Sequence, residues 1–91
     1  MDIVIEGRNV DITPDIRDYI STKMLHIQRH GPQTGQPLMT LLHNDNQHYQ
    51  VELSTHLSSG NITCRHQGSD IYASIDSVIE DVDREICKHI I

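Results

Sequence analysis

Residues 70–89 constrain the fold of this chain more than any other stretch. Ile71, Ile75, Val78, Val82 and Ile86 recur at spacings of three and four. On an α-helix that spacing lines them up as one apolar stripe, which must be buried. Asp70, or Ser69 before it, can cap the free amides of the first turn, and Gly68 ends whatever precedes the helix. Roughly opposite the stripe stand Asp81, Arg84 and Lys88, a second row open to a partner.

A second helix is signalled by Thr13-Pro14-Asp15: a hydroxyl at the cap, proline at the first helical position, and an acid at the positive end of the dipole. Ile16, Ile20, Met24 and Ile27 mark its buried stripe through about residue 29, with Tyr19 at the flank, and Gly31-Pro32 closes it. The remaining segments read as strands. Residues 2–6 form a short one ended by Gly7, and 38–43 a second after a turn-rich connection over 33–37. Residues 47–57 alternate strictly, with Tyr49, Val51, Leu53, Thr55 and Leu57 on one face and His48, Gln50, Glu52, Ser54 and His56 on the other. That is the pattern of a half-buried antiparallel strand. A turn at 58–61 leads into 62–66, the last strand of a meander. The expected order is β-α-β-β-β-α: an α+β fold in which a four-stranded sheet carries two near-parallel helices on one face.

Ninety-one residues make one domain, spanning 1–91, with a modest core. Without Phe or Trp, that core must come from Ile, Leu, Val, Met and three Tyr. No apolar run approaches the roughly 20 residues of a membrane span. The first residues lack the basic and apolar regions of a signal peptide, so a cytoplasmic location is expected. Two cysteines fit a reducing compartment better than a disulfide scaffold. Cys64, on the Ile62 face of its strand, reads as a buried thiol, and Cys87 as a bystander beside the helical stripe. The formal charge of −6 argues against indiscriminate binding to nucleic acid. Seven histidines are outside that count, however, and their full protonation would bring the total to +1. The distribution of charge therefore matters more than its sum.

Catalytic and metal constellations are thin. His26 and His30 have helical ligand spacing, and His48, His56 and His43 offer a possible shared sheet face, but zinc needs three or four convergent ligands. Solvent-facing histidines are the expectation, with no metal and no cofactor. Cys64 and His66 point the same way on a strand, yet nothing nearby would activate a nucleophile. With no phosphate loop, nucleophile elbow or paired acids across a cleft, an enzyme is not expected. Base stacking on the strands is not expected either, because the period of Tyr49 puts it on the core face. Tyr19 and Tyr72 read as helix–sheet packing residues.

Val10-Asp-Ile-Thr-Pro-Asp-Ile-Arg17 and Gly68-Ser-Asp-Ile-Tyr-Ala-Ser-Ile-Asp76, in this element order, resemble the bacterial ribosome hibernation-promoting factors. That family includes the ribosome-associated inhibitor and was formerly called sigma-54 modulation protein. The likeness runs from about residue 3 to residue 89. It implies a non-enzymatic, cytoplasmic stress factor that inserts into the small ribosomal subunit where messenger and transfer RNAs would lie. It also implies that Arg17, Lys23, Arg29, Arg84 and Lys88, all at positions where the family places positive charge, contact ribosomal RNA phosphates. His26 stands where lysine is usual and would assist when protonated, as would His89. Asp81 replaces a typical lysine, and Glu80, Asp83 and Glu85 crowd the same helix. No membrane or small-molecule substrate is implied, and a monomer is expected.

The residues make physical sense without the family. Lys23, His26 and Arg29 step by three along one row, Arg17 lies on the other flank of the stripe, and Arg84 and Lys88 are i,i+4 neighbours. Two such helices side by side would present a cationic strip to A-form RNA, which proteins read by backbone and shape. Five phosphate contacts would give a log-affinity against log-salt slope of roughly −3 to −5. The alternatives are solvated faces with ion pairs such as Asp81 with Arg84, or an acidic interaction module that docks on a basic protein.

Overall fold

The computed structural model describes residues 3–28, 36–44, 47–57 and 60–90, with the side chains of all of these but 26–28, 89 and 90. Its elements are β1 (Val4–Arg8), α1 (Pro14–Gln28), β2 (Leu38–His43), β3 (Tyr49–Leu57), β4 (Gly60–Gly68) and α2 (Ile71–Ile90). The expected element order and fold class are those found. Strands β1 to β4 lie side by side in chain order. β1 pairs parallel with β2, and the other pairings are antiparallel. β1 and β4 therefore run the same way, and each feeds a helix, so α1 and α2 start at the same end of the sheet.

Local chemistry sets both starts. The Thr13 hydroxyl oxygen accepts from the Ile16 amide at 3.2 Å. Of the two caps the sequence offered for α2, Asp70 is the one used, its Oδ1 accepting from the amides of Tyr72 and Ala73. Both are helix N-caps satisfying orphan amides of the first turn. α2 packs over β3 and β4 and against α1. Ile16, Ile20 and Met24 meet Met39, Leu41, Val51, Leu53 and Ile62 beneath Ile75, Val78, Val82 and Ile86 in one apolar core. Ile79 is also buried there; four residues after Ile75 and three before Val82, it lies on the same stripe, whereas Ile71 at the helix start is only half-buried.

Three strand boundaries differ from expectation. β1 continues through Gly7 to Arg8, because pairing with β2 extends to Leu42. β3 begins at Tyr49 rather than 47, since Gln47 takes a left-handed φ of 58° in a turn closed by the Asn44 amide and the His48 carbonyl. β4 spans nine residues, not five, carried out to Gly60 and Gly68 by its register with β3. The aromatic side chains add two findings. Tyr19, packed against the core, and Tyr72 meet each other across the helices, edge to face with centroids 5.0 Å apart. His43 does not share the open face with His56; it follows Met39 and Leu41 onto the helix side and stacks on Tyr49 at 4.7 Å.

The opposite face of the sheet is closed by its own side chains along β3 and β4. Four successive cross-strand pairs are hydrogen-bonded: Gln50 with Gln67, Glu52 with Arg65, Ser54 with Thr63 and His56 with Asn61. Such pairs stabilise a ladder by a fraction of a kcal/mol each, about 0.2–1. Both cysteines are thiols. Cys64 is half-buried, and its pKa is raised mainly by that burial and next by the charges of Asp81 and Glu85, which leaves it a poor nucleophile.

Candidate nucleic-acid interface

Lys23 lies on the side of α1 that faces α2. Its Nζ is 3.8 Å from Asp76 Oδ1 and 5.4 Å from the centre of the Tyr19 ring. The other Asp76 oxygen, Oδ2, accepts from the Tyr19 hydroxyl at 2.7 Å. One carboxylate from α2 thus ties two side chains of α1 to the seam. The tie stabilises the protonated phenol, so the Tyr19 pKa is pushed up from 10.0 to about 12, with the Asp76 hydrogen bond the largest cause and burial the next. A groove of about 250 Å³ runs beside this tie, lined by Lys23, Asp76, Ile79, Glu80 and Asp83. Three carboxylates to one ammonium make the seam acidic.

Arg84 and Lys88 are exposed on α2, and each is held by a carboxylate one turn earlier. Arg84 Nη1 is 3.3 Å from Asp81 Oδ1, and Lys88 Nζ is 3.1 Å from Glu85 Oε1. Asp81, Glu85 and Arg84 all act on the Cys64 thiol of β4, so this charged row flanks the β4 side of the helix, whereas Asp76 flanks the α1 side. Arg17 is exposed and makes no ion pair among the described residues. Six residues before Lys23, it sits roughly 120° round the helix from it, away from α2.

The sequence-derived cations therefore fall into three places. Arg17 is on the outer flank of α1, Lys23 in the seam, and Arg84 with Lys88 on the far flank of α2. Arg29 and the side chains of His26 and His89 lie outside the described residues. Two of these pairs were readable as i,i+3 spacings, Asp81 with Arg84 and Glu85 with Lys88. The capture of Lys23 by Asp76 has no local signal, because the two residues are 53 apart in the chain and meet only once both helices lie on the sheet. Among the described residues no group of three metal-ligating side chains comes together. No helix among the described residues is long and apolar enough to cross a membrane.

Asp76, Lys23 and Tyr19 thus hold α1 on α2, and the chain as a whole is similar to known proteins. The ribosome hibernation promoting factor of Azotobacter vinelandii is 29% identical over 91 residues, covering 98% of this chain and 82% of that protein. Its namesake in Escherichia coli K12 is 28% identical over 89 residues, covering 98% of this chain and 93% of that one. The N-terminal domain of Thermus thermophilus Protein Y superposes with a TM-score of 0.88 at 24% identity, over 98% of this chain and 99% of that one. A ribosomal subunit interface protein from Coxiella burnetii gives a TM-score of 0.82 at 20% identity, over 98% and 97%. These two structures share the fold. Residues 3–90 match the family described as sigma 54 modulation protein / S30EA ribosomal protein, and the chain belongs to that family.

Proposed function

We propose that this protein is a ribosome hibernation factor that binds the small ribosomal subunit and occludes the channel used by messenger and transfer RNA. The observation that carries it is the family match over residues 3–90, joined by curated relatives of that name along nearly the whole chain. Mechanistically the protein is a steric plug, with no turnover and no cofactor. Arg17, Lys23, Arg29, Arg84 and Lys88 contact ribosomal RNA phosphates, and His26 and His89 add charge when protonated.

The internal ion pairs do not prevent this. Arg84 and Lys88 are about two-thirds exposed, and their carboxylate partners are more than a third exposed. Pairs of that kind contribute at most about 1 kcal/mol and usually less, so a guanidinium or ammonium exchanges its carboxylate for a phosphate at little cost. The carboxylates remain nearby, however, and weaken each contact. Binding is thus expected to be weaker than for an uncompensated strip, with a shallower salt slope. Co-sedimentation with purified small subunits across a salt series tests the reading. A slope of roughly −3 to −5 supports five phosphate contacts, whereas a slope nearer −1 refutes them. Competition between this protein and transfer RNA for the subunit tests occlusion, and simultaneous binding of both refutes it.

A second reading is favoured by the seam and the α2 pairs together: the acidic second helix docks on a basic protein partner. The two readings predict opposite responses to removal of α2 carboxylates.

A further inference from the structure

The sheet face turned away from the helices holds a hollow of about 240 Å³ lined by Arg8, Thr40, Leu42, Gln50 and Glu52. Register fixes its plan. Arg8, Leu42 and Gln50 stand in one row across β1, β2 and β3, and Thr40 pairs with Glu52 in the next row. Strands lie about 4.8 Å apart, so Arg8 and Gln50 face one another across roughly 10 Å with Leu42 as the floor between them. The gap suits one planar ring system laid over β2.

The polar groups around it are unevenly committed. Arg8 is exposed and its side chain makes no hydrogen bond or ion pair among the described residues, and the Thr40 hydroxyl is likewise unengaged. Gln50 accepts from Gln67 Nε2 through its Oε1 at 3.1 Å, which leaves its amide nitrogen as an open donor. Glu52 receives both Nε and Nη2 of Arg65 on a single oxygen, Oε2, at 3.1 and 2.8 Å. Its Oε1 stays open as an acceptor, while the charge of the carboxylate is balanced by Arg65. The hollow therefore offers an unpaired guanidinium fork on one bank, a carboxylate oxygen on the other, and an aliphatic floor.

A bare anion on Arg8 would lie against the open oxygen of Glu52, and a bare cation on Glu52 would lie against Arg8. A flat ligand with acceptors on one edge and donors on the next satisfies both. Among nucleobases that is guanine: O6 and N7 accept from a guanidinium fork, and the N1–H and N2–H₂ edge donates to a carboxylate. Single-stranded RNA is read in this manner, with splayed bases hydrogen-bonded on their Watson–Crick and Hoogsteen edges. We propose that this hollow binds an unpaired guanine base, with Arg8 on O6 and N7, Glu52 Oε1 accepting from the adjoining N1–H and N2–H₂ edge, and Leu42 beneath the ring. This rests on the ribosomal reading above only for the source of the base, a single-stranded RNA segment.

The test is a titration of the full chain with guanosine, adenosine and inorganic phosphate, followed by backbone amide shifts in two-dimensional NMR. Guanosine should move the amides of Arg8, Leu42, Gln50 and Glu52, and bind at least about fivefold tighter than adenosine, the lower end of what one bidentate base contact discriminates. Arg8→Ala and Glu52→Gln should each abolish that preference. Arg65→Ala, which leaves the Glu52 carboxylate in place, should retain it and so separates recognition from loss of the cross-strand pair. Equal responses to guanosine and adenosine overturn the proposal, as does phosphate alone reproducing the shifts. Because the readout needs no ribosome, guanosine binding without small-subunit binding overturns only the ribosomal reading. Small-subunit binding without guanosine preference overturns only this one.

Discussion

Replacing Asp81 with Asn and Glu85 with Gln together frees Arg84 and Lys88 without altering the shape of α2. The formal charge rises by the two carboxylates removed, from −6 to −4. The two partners sit 3.3 and 3.1 Å from their cations, so a phosphate bound to either cation lies about 6 Å from a carboxylate oxygen. In water two like charges at that distance repel by roughly 0.7 kcal/mol. At 0.1 M salt, where the screening length is about 10 Å, a little over half of that survives. Two such terms amount to about 0.8 kcal/mol, or three- to fivefold tighter binding to small subunits. The salt slope should steepen by up to about 1.5, as two cations become fully available for counterion exchange. Stability should fall by less than about 1 kcal/mol, since both pairs are exposed i,i+3 pairs. The assay is co-sedimentation of the double variant and the parent with purified small subunits between 50 and 200 mM salt (roughly the range over which phosphate contacts are lost), with thermal unfolding as the control. Unchanged or weaker binding by a folded double variant refutes the phosphate-contact mechanism and favours the basic-partner reading.

Two further predictions test the structure beneath the interface. In an absorbance titration of the three tyrosines, one should ionise at about 12 and return towards 10.0 in Asp76→Asn, because the Asp76 hydrogen bond is the main cause of the shift. The stability this raised pKa confers is complete below pH 10 and lost as pH climbs through 12. Phe at position 19 should remove that alkaline loss, and an unchanged profile would show that the α1–α2 tie is not made. Gly7→Ala should destabilise by about 1–3 kcal/mol in urea unfolding, since a Cβ there would stand 2.5 Å from the Val10 carbonyl oxygen. A variant as stable as the parent would mean that the turn after β1 is looser than described.

The periods of 3.6 and 2 named nearly every element, because each segment has one face that must leave water. Ile75, Val78, Val82 and Ile86 on α2, and Val51 and Leu53 on β3, are buried as their spacing requires. Thr13 and Asp70 declared the two helix starts through capping chemistry that needs only neighbouring residues. The family resemblance likewise lay in two contiguous segments. Ile79, four residues after Ile75 and three before Val82, obeys the same period and is buried with them. The meeting of Tyr19 with Tyr72 has no local signal, because the two lie 53 apart in the chain and come together only across the two helices.

How the cations of the two helices are engaged was decided partly along the chain and partly by the tertiary structure. The i,i+3 spacings of Asp81 with Arg84 and Glu85 with Lys88 are local, whereas nothing along the chain separates Lys23 from Arg17 in its access to a partner. In the fold, Arg17 makes no ion pair among the described residues, Lys23 is drawn to Asp76 from the other helix, and Arg84 and Lys88 are held by acids of their own helix. The hollow around Arg8 likewise exists only because the register brings β1, β2 and β3 together. Electrostatic partners are set by distance in space, and periodicity reports only which side of its own element a residue occupies. Sequence alone thus determined the architecture and the inventory of charge, while packing one helix against another decided which of those charges remain for a partner.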